Sequence, residues 1–105
     1  MSKSVFYCEY KLRKGASVDD FLEASEKLNN EYISKQKGFI SWEQLNDGDI
    51  WVDLLTFETM DEVKAFEENS TANPNEFAMK FYSFINMPSC KVRYYRVERS
   101  FKGTI

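Results

Sequence analysis

The sequence predicts an α+β fold with elements in the order β-α-β-β-α-β. Three observations carry this. The stretch VFYCEYKL near the start alternates at period two, as strands do, and KVRYYRVE near the end reads as a further strand. Two apolar stripes recur at helical spacing, around residues 18–33 and 77–85. Between them FISWEQL and IWVDLLTF flank NDGD, a tight hairpin turn whose Asn, Asp and Gly accept positive φ.

The elements follow in order. In the first strand, residues 5–12, Phe6, Cys8, Tyr10 and Leu12 share an apolar face, and Val5, Tyr7, Glu9 and Lys11 share the other. Ser17 is a suitable N-cap, with Asp19 and Asp20 in a first turn whose dipole favours negative charge. Phe21, Leu22, Leu28, Tyr32 and Ile33 extend that helix to about Lys37, and Gly38 suits the position just beyond it. The second strand is 39–45 and the third 50–57. Thr59 and Glu62 form a capping box for a short helix that STAN interrupts. Helix resumes with Pro74 at its first position and runs through Phe77, Phe81, Phe84 and Ile85 to Met87-Pro88. The fourth strand is 91–98, with SFKGTI as an edge extension.

Right-handed crossovers and this order give one four-stranded antiparallel sheet, in spatial order 4-1-3-2, with both helices on one face. Phe6, Cys8, Tyr10 and Leu12 are expected to meet the helices, together with Ile50, Val52 and Leu54 of the third strand. The other face then carries Val5, Tyr7, Glu9, Trp51, Asp53, Leu55 and Phe57. Cys8 lies mid-strand and Cys90 beyond the start of the fourth strand, so the two are expected to be too far apart to bridge.

Composition narrows the function. The 105 residues form a single domain by length. A net charge of −3, with no basic stripe, argues against nucleic acid. No window is apolar enough to span a membrane, and MSKSVFYCEY turns polar too soon for a signal peptide, which points to the cytoplasm. Two cysteines make no disulfide framework. With no histidine there is no imidazole base, no Ser-His or Cys-His nucleophile and no histidine ligand for haem, and no metal site or cofactor is expected.

A face holding Tyr7, Trp51, Leu55 and Phe57 beside Glu9 and Asp53 is too aromatic for water and too charged for plain core. The economical cover is a second copy of the chain, sheet against sheet, enclosing a cavity. Glu9 and Asp53 are the candidate catalytic groups, one acting as general base on an acidic C–H or a phenol. Tyr7, Trp42, Trp51 and Tyr94 are candidates to hold a flat substrate. Arg96 is preferred to Arg93 as the cation beside the carboxylates, because Tyr95 and Val97 suit the helix side better. The alternative is a structural ion pair at the contact between copies.

KGFISWEQL, the NDGD hairpin and IWVDLLTFETMDEVKAFEEN, with its Ala65-Phe66 pair, resemble the dimeric α+β barrel superfamily. This ferredoxin-like group includes the antibiotic-biosynthesis monooxygenases, and the resemblance covers nearly the whole chain. It implies a homodimer and a pocket between sheet and helices. The haem-degrading members use a helical histidine, and ENSTANPNEF has none. Cofactor-free members use Trp, Asn, Arg and Tyr to bind a phenolic substrate and stabilise its anion. Those residue types occur here without matching position by position. The expected function is binding of a small aromatic or hydrophobic molecule by a homodimer, as a cofactor-independent monooxygenase-like enzyme. The alternative is a non-catalytic binding or stress-associated protein, or a purely structural dimer.

Overall fold

The computed structural model describes residues 2–104. Its elements are β1 (Ser4–Leu12), α1 (Val18–Glu31), β2 (Phe39–Asn46), β3 (Trp51–Phe57), α2 (Met60–Ala72), α3 (Glu76–Tyr82) and β4 (Ile85–Arg96). A 3-10 turn at Ile33–Lys35 joins α1 to β2. Every strand pair is antiparallel, and the order β2-β3-β1-β4 is the expected 4-1-3-2 read from the other edge.

Local chemistry explains most boundaries. Ser17 Oγ accepts the Asp20 N–H and starts α1. That helix stops at Glu31, earlier than expected. Tyr32 leaves helical geometry (φ −136°, ψ −61°), and the turn that follows drives Ile33 into the core. The bend also brings the Tyr32 hydroxyl within 3.0 Å of Ser70 Oγ on α2. Thr59 Oγ1 accepts the Glu62 N–H at 3.2 Å, and its own hydroxyl donates to the Glu62 carboxylate. The capping box therefore closes side chain to side chain.

STAN does not interrupt α2, which continues through Ala72. The break comes at Asn73, where the following proline disfavours helical backbone. Pro74 precedes the next cap, and Asn75 Oδ1 accepts the Ala78 N–H at 2.8 Å to start α3. Helix α3 ends at Tyr82, so Phe84 and Ile85 are not helical; Ile85 begins β4. β4 is longer than expected and runs beside all of β1, with a bulge between the Glu9–Lys91 and Lys11–Asn86 pairs.

The face of β3 is the main correction. In an antiparallel ladder, directly opposed residues share a face, and a one-residue slip reverses every side chain. The register pairs Tyr10 with Trp51, Cys8 with Asp53, Phe6 with Leu55 and Ser4 with Phe57. Trp51, Asp53, Leu55 and Phe57 therefore face the helices, not Ile50, Val52 and Leu54. The reason is area: Trp51, Leu55 and Phe57 bury more apolar surface than the Ile-Val-Leu set, which outweighs the cost of one carboxyl.

The core gathers on that face. Phe21 is fully buried, with its ring centroid 5.1 Å from Trp51 and 5.2 Å from Phe81. Tyr10, Phe57 and Val63 are equally enclosed.

Gly38 ends the α1–β2 connection at φ +79°, and a Cβ there would overlap the Glu62 carboxylate. The Glu62 side chain can swing aside, so backbone strain dominates. Gly38→Ala is expected to destabilise the fold by about 1–2 kcal/mol. That corresponds to a fall in Tm of roughly 5–15 °C in calorimetry. An unchanged Tm would show that this connection relaxes to negative φ.

Candidate functional site

A cavity of about 420 Å³ lies between the sheet and the helices. Its floor is the helix side of the strands: Phe6, Cys8 and Tyr10 of β1, Trp42 of β2, Asp53 and Leu55 of β3, and Cys90 of β4. Leu28, Phe66, Ser70, Phe81 and Tyr82 of the helices close it above. Its volume falls in the range of small-molecule sites, roughly 300–1,000 Å³. Two other depressions, of about 570 and 530 Å³, lie along α2 and are lined mostly by exposed side chains.

Asp53 is the polar centre of this cavity. It is 6% exposed, and Oδ1 accepts the Tyr10 hydroxyl at 2.9 Å. Burial pushes its carboxyl up to about 7, against the pull of Tyr10 and of the Trp42 indole N–H, which both favour the anion. Trp42 Nε1 is itself buried and completes no hydrogen bond, so it stands as an open donor beside the carboxyl. Burial, followed by the neighbouring Asp53 charge, drives the Tyr10 hydroxyl well above its ordinary value, so Tyr10 remains a donor. Gln44, the cross-strand partner of Asp53, donates to Ser25 Oγ at 3.0 Å, and Ser25 in turn donates to the Phe21 carbonyl. A carboxyl that titrates near neutrality in an apolar chamber can give or take a proton.

The expected site residues divide between the two faces. Asp53 and Trp42 meet in the cavity. Trp51 also faces the helices but packs against Phe21 outside the cavity lining. Tyr94 sits on the helix side at the β4 edge, edge-on to Phe6 at 5.9 Å and outside the cavity. Glu9 and Tyr7 lie on the opposite face, where the Tyr7 hydroxyl donates to Glu9 Oε1 at 2.9 Å. Glu9 and Asp53 therefore do not share a face, because Glu9 pairs with Val52 while Asp53 pairs with Cys8.

The preference for Arg96 is also reversed. Arg93 is opposite Tyr7 and Tyr95 opposite Val5, so these two share the face of Glu9. Arg96 is opposite Ser4 and makes an exposed ion pair with Glu98 at 3.5 Å. Tyr10 and Gln44 went unrecognised as site residues. Tyr10 read as one more member of the apolar β1 face, and only the register reveals that it meets a carboxyl. Cys8 and Cys90 are not at opposite ends of the sheet as expected: both line the cavity, and each influences the other's ionisation. β4 begins before Cys90 and carries it alongside β1.

Among the described residues no three Cys, Asp or Glu side chains cluster to hold a metal ion, and no helix is long and apolar enough to cross a membrane.

No family model matches the chain, and no curated protein matches it. Solved structures do. SnoaB, a cofactor-independent oxygenase from Streptomyces nogalater, superposes with a TM-score of 0.72 at 10% identity, over 98% of this chain and 100% of that one. A candidate antibiotic biosynthesis monooxygenase from Nitrosomonas europaea gives 0.67 at 13% identity, over 92% and 91%. Another from Bacillus cereus gives 0.64 at 17%, over 98% of both chains. At these identities the likeness is one of backbone, and it extends over the whole domain. The chain thus has the ferredoxin-like α+β fold of the antibiotic-biosynthesis-monooxygenase-like structures.

Proposed function

We propose that the cavity between sheet and helices binds a small aromatic or hydrophobic molecule, and that Asp53 removes a proton from it. The protein then acts as a cofactor-independent monooxygenase-like enzyme. The observation that carries this reading is a buried carboxyl titrating at about 7 in the wall of an apolar chamber. The similarity in fold to SnoaB, itself a cofactor-independent oxygenase, supports the reaction class.

The chemistry follows from the residues. A substrate with an acidic CH₂ or phenolic group lies on Phe6, Leu55 and Phe81, and its acidic hydrogen meets Asp53. Ionised Asp53 takes the proton. The Trp42 N–H and the Tyr10 hydroxyl are donors placed to share the negative charge that develops. The resulting electron-rich anion reduces dioxygen directly. One oxygen atom enters the substrate as a carbonyl and the other leaves as water, so that CH₂ plus O₂ gives C=O plus H₂O.

We also propose that the face without helices is covered by a second copy of the chain. Val5, Tyr7, Leu54 and Tyr95 offer that copy apolar surface around Glu9 and Arg93, a pair of opposite charges that a two-fold contact can satisfy. This supports a homodimer through the sheet. Native mass spectrometry of the chain at micromolar concentration should show a dimer, and Tyr95→Asp should shift it to monomer. A wild-type monomer would sink the proposed contact.

The test of the base is Asp53→Asn. Oxygen uptake with hydroxyarene probes should rise through about pH 7 in the wild-type protein, as the carboxyl ionises. Uptake should fall by roughly 10²–10⁴-fold in the variant. Equal uptake in both proteins would reject Asp53 as base.

Stability gives an independent check. A folded value above the ordinary 3.8 means the native state holds its proton more tightly. The corresponding stability is fully present below pH 3.8 and is lost as pH rises through about 7. The loss amounts to about 4 kcal/mol. Asp53→Asn should flatten this slope and make the variant the more stable protein at pH 8. A wild-type unfolding free energy that is level between pH 4 and 8 would contradict the burial of an ionisable carboxyl here.

A further inference from the structure

The cavity wall holds two nucleophilic groups that the proposed reaction does not use. Cys8 stands directly across the ladder from Asp53, and Cys90 stands on the next strand, on the same side of the sheet. In a regular ladder the diagonal neighbour lies about 7–8 Å away, too far for a disulfide. The bulge removes that limit. Between Lys91 and Asn86 the β4 backbone departs from its pairing with β1, and Cys90 belongs to the released segment. Its side chain borders the cavity on the same side as Cys8, near enough for each thiol to perturb the other's ionisation. Both are free thiols.

We infer that Cys8 and Cys90 form a dithiol site which hydrogen peroxide closes to an intramolecular disulfide, tying β4 to β1 in the cavity wall beside Asp53. The sulfur of Cys90 attacks the peroxide oxygen and the O–O bond breaks, leaving a sulfenic acid on Cys90 and releasing one water. The sulfur of Cys8 then displaces the sulfenic hydroxyl, which leaves with the Cys8 proton as a second water. Two sulfurs supply two electrons, and one peroxide becomes two waters.

The order of events follows from the surroundings. Burial holds the Cys8 thiol at about 12, so it is almost never a thiolate. Cys90 is raised as well, chiefly by burial, but the Cys8 thiol donates toward it and favours its anion. Cys90 is therefore the attacking sulfur and Cys8 the resolving one.

The test uses the full chain, folded, treated with hydrogen peroxide, then alkylated with iodoacetamide under denaturing conditions and weighed intact. The expected product has lost two hydrogens, carries no alkyl group, gives a Cys8–Cys90 linked peptide, and reverts with dithiothreitol. Its Tm should exceed that of the reduced chain. Cys8→Ser should leave a sulfenic acid on Cys90 that dimedone traps, whereas Cys90→Ser should leave Cys8 unmodified by peroxide. Two alkylated cysteines after peroxide treatment, or a link only between separate chains, would overturn the proposal. The linked-peptide result on the wild-type protein stands even if a variant fails to fold.

Discussion

The hydrogen bond from the Tyr10 hydroxyl to Asp53 is the constraint on which the arrangement of the sheet depends. It crosses from β1 to β3 inside the layer between sheet and helices, where water does not compensate a bare carboxyl. Without that donor, the register that buries Trp51, Leu55 and Phe57 would also bury an unpartnered acid. With it, the register is acceptable, and the residual cost appears as a carboxyl that resists ionisation. The aspartate that looks misplaced in a buried strand is thus tolerated for a physical reason and made chemically unusual by the same surroundings.

Around that pair the helix side of the sheet divides into two regions. At one end α1 and α3 set Phe21 and Phe81 against Tyr10 and Trp51 as an aromatic cluster, of which Tyr10 and Phe81 also border the cavity. At the other, α2 lies over β1 and β3 with Phe66 against Phe6 and Phe57, and the 420 Å³ cavity opens between α2, α3 and the sheet. A rigid cluster beside a chamber is a sensible division. The packed end holds Tyr10 and, through Gln44 and Ser25, the neighbouring strand and helix, and the chamber inherits that order at its polar wall.

The two faces of the sheet carry separate electrostatics. On the helix side stand one buried carboxyl, an open indole donor and two neutral thiols. On the other, the partly buried Tyr7 and Glu9 and the exposed Arg93 and Tyr95 form a polar and aromatic group, in which the Tyr7 hydroxyl is raised chiefly by its bond to Glu9. Carboxylates that appear paired along the sequence are therefore insulated from one another by the thickness of the sheet. Each responds to its own surroundings.

The sequence by itself determined the element order, the sheet topology, the caps at Ser17 and Thr59, the hairpin turn and the apolar face of β1. These depend on local periodicity and turn chemistry, which neighbouring residues carry. It also marked Asp53 and Trp42 as site candidates from residue type and position. The tertiary structure decided the facing of β3, because period-two alternation names two faces without saying which is inside. Register across the ladder makes that choice, and it depends on how much aromatic area the whole sheet can bury. The same register placed Tyr10 on Asp53, separated Glu9 from it and exchanged Arg93 for Arg96. The bulge in β4 lies in a stretch that reads as the end of a helix, so the meeting of Cys8 and Cys90 was not visible along the chain. It arises because β4 starts at Ile85 and pairs with β1 on both sides of a bulge that holds Cys90.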